Sequence, residues 1–350
     1  MSEASEAWGG GLWAAADLVT PMTIRVAATL RLADEIVAGR VTVSSLADQV
    51  GADPDALDRV LRHLVTVGLL TRSDDGTYGP TASGEYMRDD NPDGVRGWID
   101  LHGAVGRADL SLVQLLHTVT TGEAAFPKQF GLPFWDDLAA DEHRAASFDA
   151  LMGAQLVAQA PTLAGAYNWG ALGHVVDVGG GNATLLIALL QAHPKLRGTV
   201  VDLAAPAARA TAAIDSAGLA ERADVVTGSF FDPLPAGAGG YIVSAILPDW
   251  GDTDARRILR RCREAAGPSG KVLVVDGIGT EHGHGDSTEM DIRMLAYFLG
   301  RQRNLEQLSA LAADARLTVA SITPTVHRSV IELTNSDGRQ APLSDRLARL

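Results

Sequence analysis

The chain has 350 residues, 46% hydrophobic and 21% charged, with 29 basic against 43 acidic residues and a net charge of -14, a globular composition long enough for two cored domains. So acidic a surface is expected to repel nucleic acid and anionic membranes, and no apolar run of about 18 residues offers a bilayer span. The lone Cys262 excludes an internal disulfide framework and suits a reducing cytoplasm, and the stretch around Glu3 and Glu6 lacks the pattern of a secretory signal.

Residues 1–11 are small, polar and glycine-rich and read as a disordered tail. From 12 to 37 the pattern is helical, with Leu18, Met22, Val26 and Leu30 on one stripe and Pro21 near the middle. With Trp8 and Trp13 ahead of it, this apolar surface is expected to pack on a second copy, giving a homodimer through the N-terminal helices. Residues 43–50 and 54–67 then read as short helices and 69–79 as a two-stranded wing around Asp74-Asp75-Gly76, a winged helix-turn-helix. Ser44 and Ser45 are expected to cap the first of these helices and Asp53-Pro54 to start the second. Asp53, Asp55 and Asp58 on the would-be recognition helix favour a dimerisation scaffold over a DNA reader.

The segment 98–165 reads as a helical connector and cleft wall, with helices at 98–116 and 142–159. Between them, 125–135 reads as a loop carrying Phe126, Phe130, Phe134 and Trp135, and Phe148 and Met152 share a face of the second helix. From 166 to 335, β-branched runs at 174–178, 199–203, 223–227, 240–247 and 271–276 alternate with helical stretches, and a strand pair follows at 317–322 and 328–334. This predicts an α/β domain with a Rossmann-like doubly wound, mainly parallel seven-stranded sheet, preceded by an all-helical winged-helix dimerisation domain at 12–97. Residues 336–350 read as a tail.

The most informative stretch is 174–186, a β-branched strand, the turn Gly179-Gly180-Gly181 and a helix expected to begin near Asn182. Glycines there let the backbone approach a ligand closely, and the helix start offers free N–H groups. Twenty-one residues past Gly181, Asp202 ends the next strand, placed to accept from the two hydroxyls of a ribose. Thr184 stands where a dinucleotide fingerprint needs its third glycine. That argues against NAD and for a nucleoside cofactor without a pyrophosphate, such as S-adenosylmethionine. His282 and His284 have only Asp286 nearby, so a metal site is not supported.

Asp177-Val-Gly-Gly-Gly181, Asp202, Gly228-Ser-Phe-Phe-Asp-Pro233, Asp249-Trp250 and Asp291-Ile-Arg-Met-Leu295, following a winged-helix domain in this order, resemble the S-adenosylmethionine-dependent O-methyltransferases of small aromatic and polyketide metabolites. The likeness covers nearly all of 12–334 and is greatest to the bacterial enzymes that tailor aromatic polyketide antibiotics. It implies cofactor binding by Asp177, Gly179 and Gly181 at the turn, Asp202 at the ribose, Ser229 and Phe230 at the adenine, and Ser244 at the methionine end. Ser229 stands where an acidic residue is usual.

Two departures bear on the chemistry. The family's His-Asp-Trp is here Pro248-Asp249-Trp250, and its Gly-Gly-Lys-Glu-Arg is Leu299-Gly300-Arg301-Gln302-Arg303. In those enzymes the histidine takes the hydroxyl proton and the glutamate orients it; proline and an amide do neither. In-line placement supplies roughly 7 to 11 kcal/mol, against about 3 to 5.5 kcal/mol for a general base. Methyl transfer driven mainly by proximity is therefore expected. Asp249 is the nearest ionisable group to the vacant position and the candidate catalytic residue, its alternative being an N-cap or a structural hydrogen bond ahead of the helix near Asp252; Asp276 and Arg293 come second. Phe134, Trp135, Phe148, Met152, Pro248, Met290, Met294 and Phe298 are the expected walls for a flat, hydrophobic acceptor. The alternative function keeps the cofactor but performs hydroxylation, decarboxylation or cyclisation, and a third reading is a winged-helix ligand-sensing regulator.

Overall fold

A computed structural model describes residues 11–278 and 288–336. The readings made for 1–10, for 337–350 and for His282, His284 and Asp286 lie outside the described residues. The chain divides into two units, one of residues up to 110 with 135–151, the other of 111–134 with 152 onward.

The first unit is built on short amphipathic helices, Val19–Thr29, Leu32–Val37, Val43–Val50 and Pro54–Thr66, and on β1 (Leu70–Arg72) and β2 (Tyr78–Pro80). Leu32, Ile36, Leu46, Leu57, Leu61 and Leu64 meet in its core, each worth about 1.5 to 3 kcal/mol of burial. The helical pattern from 12 to 37, expected as a helix pair, is three helices. Gly11–Ala16 comes first, and Arg31, at a left-handed φ of 56°, separates the next two. The cap of Val43–Val50 is also corrected: it is Thr42, whose Oγ1 accepts the Ser45 N–H while Ser45 Oγ accepts the Thr42 N–H, a reciprocal box centred ahead of the two serines. Asp53 caps the next helix as expected, accepting the Ala56 N–H at 2.9 Å. Asp55 and Asp58 lie beside Arg59 and Arg62. Leu12, Trp13, Leu18 and Val19 are each more than half exposed.

The second unit holds a sheet of β3 (His174–Val178), β4 (Arg197–Asp202), β5 (Ala223–Thr227), β6 (Gly240–Ser244), β7 (Lys271–Asp276), β8 (Leu317–Pro324) and β9 (Ser329–Asn335). Their order is β5-β4-β3-β6-β7-β9-β8; the first five are parallel, and β9 runs antiparallel to both neighbours. Val176, Val243 and Val274 face one core with Ile258 and Leu259, while Val175, Ile242 and Leu273 face the other with Leu186 and Leu189. Burial on both faces explains why these strands read as unbroken β-branched runs. Chain order reverses between β3 and β6, the switch point where such sheets open a crevice at their carboxyl ends.

Three local expectations are corrected. The region 98–116 is not one helix but Arg96–Ile99, Ala104–Asp109, a 3₁₀ turn at Leu110–Gln114 and the start of Leu115–Thr121. At Gly106 a Cβ would lie 2.0 Å from the Asp100 carbonyl oxygen, so the chain folds back tightly there. The 125–135 loop is two helices, Ala125–Phe130 and the beginning of Phe134–Ala139. Pro127 falls in a first turn, where its missing N–H costs nothing, and Gly131, at φ 83°, stops that helix. The helix expected to end at 159 continues through Pro161 as Glu142–Ala166.

Candidate functional site

The glycine turn carries its conformation in its sequence. Gly179 and Gly181 sit at φ 71° and 58°, where a side chain is strained, and a Cβ on Gly179 would stand 2.6 Å from Ile246 Cδ1 and 3.4 Å from Phe230. The helix after the turn is Thr184–Ala192, two residues later than expected, because Asn182 Oδ1 accepts the Thr184 N–H and Oγ1 ahead of it. Gly153 of the long helix lies against this turn, its would-be Cβ 3.0 Å from Asn182 Nδ2.

Two acids flank the turn. Asp202 Oδ2 accepts the Gly181 N–H at 2.8 Å and Oδ1 the Leu203 N–H at 2.7 Å. Each oxygen keeps a further lone pair. Burial raises the Asp202 pKa and those two N–H bonds oppose the rise. Asp177 is almost fully buried under Gly180, and its Oδ2 has no hydrogen-bond partner. Burial, then the charge of Asp202, pushes it up to about 7. The structure thus brings Asp177, Gly179, Gly181, Asp202 and Phe230 around one turn. Ser229 is next to them in sequence, its Oγ accepting the Phe231 N–H at 3.2 Å, and Phe230, Phe231 and Trp250 pack edge to face.

A second cluster lies beyond β6 and β7. Pro248 and Asp249 belong to a 3₁₀ turn, Leu247–Asp249, after which Gly251 caps the helix Asp252–Ala266. The N-cap role for Asp249 is therefore not what the structure has. Burial, then the charge of Asp276, pushes the Asp249 carboxyl up to about 8. Asp276 ends β7 with Oδ2 lacking a hydrogen-bond partner, and burial pushes it up to about 7 while Arg328, Ala245 N–H and Arg303 pull it back. Ser244 ends β6 and accepts from Arg328 Nη1 at 3.2 Å.

The 299–303 segment fixes this turn. Arg303, with a side chain 3% exposed, donates to the carbonyls of Leu247 and Trp250 at 2.8 Å and to Asp252 Oδ1 at 2.8 Å. Arg301 N–H donates to the Pro248 carbonyl, and Gly300 leaves no room for a Cβ, which would be 2.3 Å from that oxygen. Gln302 uses its backbone N–H on Asp291 Oδ1 at 2.8 Å, which accounts for the acid in the Asp291 motif. Leu299 stands at φ 57°. Replacing it by glycine is expected to raise stability by about 0.5 to 1 kcal/mol, seen as a higher thermal midpoint; an unchanged or lower midpoint means that its side-chain packing outweighs the strain.

Of the expected apolar walls, Phe134 and Phe298 meet with ring centroids 5.0 Å apart, in a cluster with Phe126 and Tyr297. Met294 is buried and Met290 is 41% exposed. Trp135 and Phe148 belong to the other unit, where they pack edge to face at 5.7 Å. Among the described residues no cluster of His, Cys, Asp or Glu could hold a metal ion, and no helix is long and apolar enough to cross a membrane. Arg328, Gln159 and Arg303 were not among the residues singled out by the sequence. The first two sit in a turn and mid-helix with no motif around them; Arg303 closes a noted motif, and its role follows from the carbonyls folded around it.

A glycine turn at the switch point of a parallel sheet, tied to an acid on the next strand, places the chain in the Rossmann-like class. The O-methyltransferase domain matches residues 112–317 and the O-methyltransferase dimerisation domain residues 13–89. The chain belongs to the O-methyltransferase family. It is 53% identical over 325 residues to the 2,7-dihydroxy-5-methyl-1-naphthoate 7-O-methyltransferase of Streptomyces carzinostaticus, covering 93% of this chain and 97% of that one. It is 44% identical over 339 residues to the aclacinomycin 10-hydroxylase of Streptomyces purpurascens, covering 93% and 90%. Its structure is similar, with a TM-score of 0.89 and 52% identity over 93% of this chain and 98% of the other, to an O-methyltransferase from neocarzinostatin biosynthesis in complex with S-adenosylmethionine and 2-hydroxy-5-methyl naphthoic acid.

Proposed function

We propose that the chain transfers a methyl group from S-adenosylmethionine to a ring hydroxyl of a small aromatic or polyketide-type metabolite, working as a homodimer. The observation that carries this is the glycine turn hydrogen-bonded to Asp202 at the switch point, in a chain similar over 93% of its length to a naphthoate O-methyltransferase. The residues fit the cofactor: Asp202 has lone pairs left for two ribose hydroxyls, Gly179 holds a positive φ in a turn packed so closely on Ile246 that no Cβ fits, and Asp177 carries an orphaned buried oxygen beneath the turn. Gly181 would share that cradle, Ser229 and Phe230 would flank the adenine, and Ser244 would face the methionine end. The bound cofactor supplies a sulfonium methyl, an electrophile that needs little activation.

The chain's own residues do the rest. Met152, Pro248, Met290, Met294 and Phe298 offer apolar surface to orient a flat ring, and Asp249 receives the hydroxyl proton as the oxygen–carbon bond forms and the carbon–sulfur bond breaks. Because no histidine stands at 248, placement carries most of the rate. The homodimer is supported by the match to the dimerisation domain and by exposed Leu12, Trp13, Leu18 and Val19.

Incubating the protein with methyl-labelled cofactor and a panel of phenols and hydroxynaphthoic acids should place label on an aromatic product and release the demethylated cofactor in equal amount. Cofactor binding with no demethylation across the panel would sink the proposal. An altered product with all label retained on the cofactor would instead identify the non-methylating chemistry that the 44%-identical hydroxylase performs.

A further inference from the structure

A cation unaccounted for by any of the motifs sits near the carboxyl ends of β6 and β7. Arg328 lies immediately before β9, in a turn where its carbonyl accepts from the N–H and the Oγ1 of Thr325. Its Nε donates to Gln159 Oε1 at 2.8 Å and its Nη1 to Ser244 Oγ at 3.2 Å. The guanidinium is thus fixed between the long helix and the end of β6. No described residue accepts a hydrogen bond from Nη2. Asp276 is close enough for electrostatic attraction, yet makes no direct ion pair with it. Burial lowers the Arg328 pKa, which marks a charge poorly served by solvent.

Two neutral oxygens and a carboxyl that makes no direct ion pair leave this half-buried charge incompletely compensated, and an anion that meets it directly would stabilise it. A guanidinium with donors to spare is the complement of a carboxylate. We infer that Arg328, positioned by Gln159 and Ser244, holds a ring carboxylate of the acceptor, so that hydroxyarene acids are the preferred substrates. The acceptor's identity in this inference rests on the methyl-transfer reading; the anion site does not. A carboxylate anchored at Arg328 gives the ring a second fixed point besides the reacting hydroxyl, which is what catalysis by placement requires where no histidine base is present. The cofactor's methionine end offers the same chemistry. Arg328 bonds Ser244 at the end of β6, the neighbour of β3, so separate binding measurements for the acid and for the cofactor distinguish these two sources.

The test uses Arg328→Gln and Arg328→Lys with three probes: a hydroxynaphthoic acid, its methyl ester and the parent naphthol. Wild type should prefer the acid to both neutral probes by about 100-fold in kcat/KM. Arg328→Gln should lose that preference while its activity on the naphthol stays within about threefold, and Arg328→Lys should restore part of it. Calorimetry should give the Gln variant the wild-type affinity for S-adenosylmethionine, but about 100-fold weaker binding of the acid to protein saturated with S-adenosylhomocysteine. An unchanged acid-to-naphthol ratio overturns the inference, and so does a fall in cofactor affinity of the same size, which would assign Arg328 to the methionine carboxylate. If wild type methylates none of the probes, the methyl-transfer reading fails. The binding comparison still decides the anion site, and unchanged thermal midpoints exclude misfolding.

Discussion

Asp249→Asn is expected to lower the single-turnover methylation rate about 100-fold without weakening cofactor binding. A general base contributes 10²- to 10⁴-fold, and the lower end applies here because placement supplies most of the rest. The carboxyl's pKa is pushed up to about 8 by burial and then by the charge of Asp276. The wild-type rate should therefore climb as pH approaches about 8 and then level, while the Asn variant is flat over that range. A variant within threefold of wild type, with the same pH profile, would leave placement as the whole of catalysis. Stability provides a second reading. An unfolded Asp249 releases its proton near 3.8, whereas the folded one keeps it until about 8. Raising pH through that window draws protons off the unfolded chain first, so this group lowers the stability of the free protein as pH rises through it, and no further above it. Asp249→Asn should thus unfold at a higher temperature than wild type at alkaline pH and at a similar one near the unfolded value.

Asp202→Ala should weaken S-adenosylmethionine binding by about 100-fold, measured by calorimetry. Charge-assisted hydrogen bonds are worth about 1.5 to 3 kcal/mol each, and a ribose would make two. The same substitution leaves the Gly181 and Leu203 N–H groups without their acceptor, loosening the turn proposed to seat the cofactor. Asp202→Asn keeps one carbonyl oxygen and should lose less. An alanine variant that binds within threefold of wild type would remove the ribose from this position.

The sheet and the glycine turn were legible because their signals are local. Buried parallel strands must be apolar on both faces, and the positive φ at Gly179 and Gly181 demands their residue type. The loop expected at 125–135 is helical instead, because Pro127 occupies a first helical turn, a place sequence spacing alone does not mark. The same ambiguity recurs at Pro161, which the helix passes through although its end was expected at 159. At the site, Asp202 could be read from its distance to Gly181, but Asp249 could not be separated from a cap until Gly251 was seen in that position. Arg328 and Gln159 lie 169 positions apart, and no pattern within either neighbourhood announces that they meet.

Late arrival follows from where β9 lies in the chain. During synthesis the glycine turn, both of its acids and the paired carboxyls of the second cluster leave the ribosome well before Ser329–Asn335, which must then double back onto β7. Until it does, β7 has a bare row of backbone donors and acceptors along one side, the kind of rim on which nascent chains stick to one another. A translation arrest just short of Arg328 would therefore yield a product that has its glycine turn but is prone to clump, and chaperone demand should be concentrated in the interval before β9 has paired.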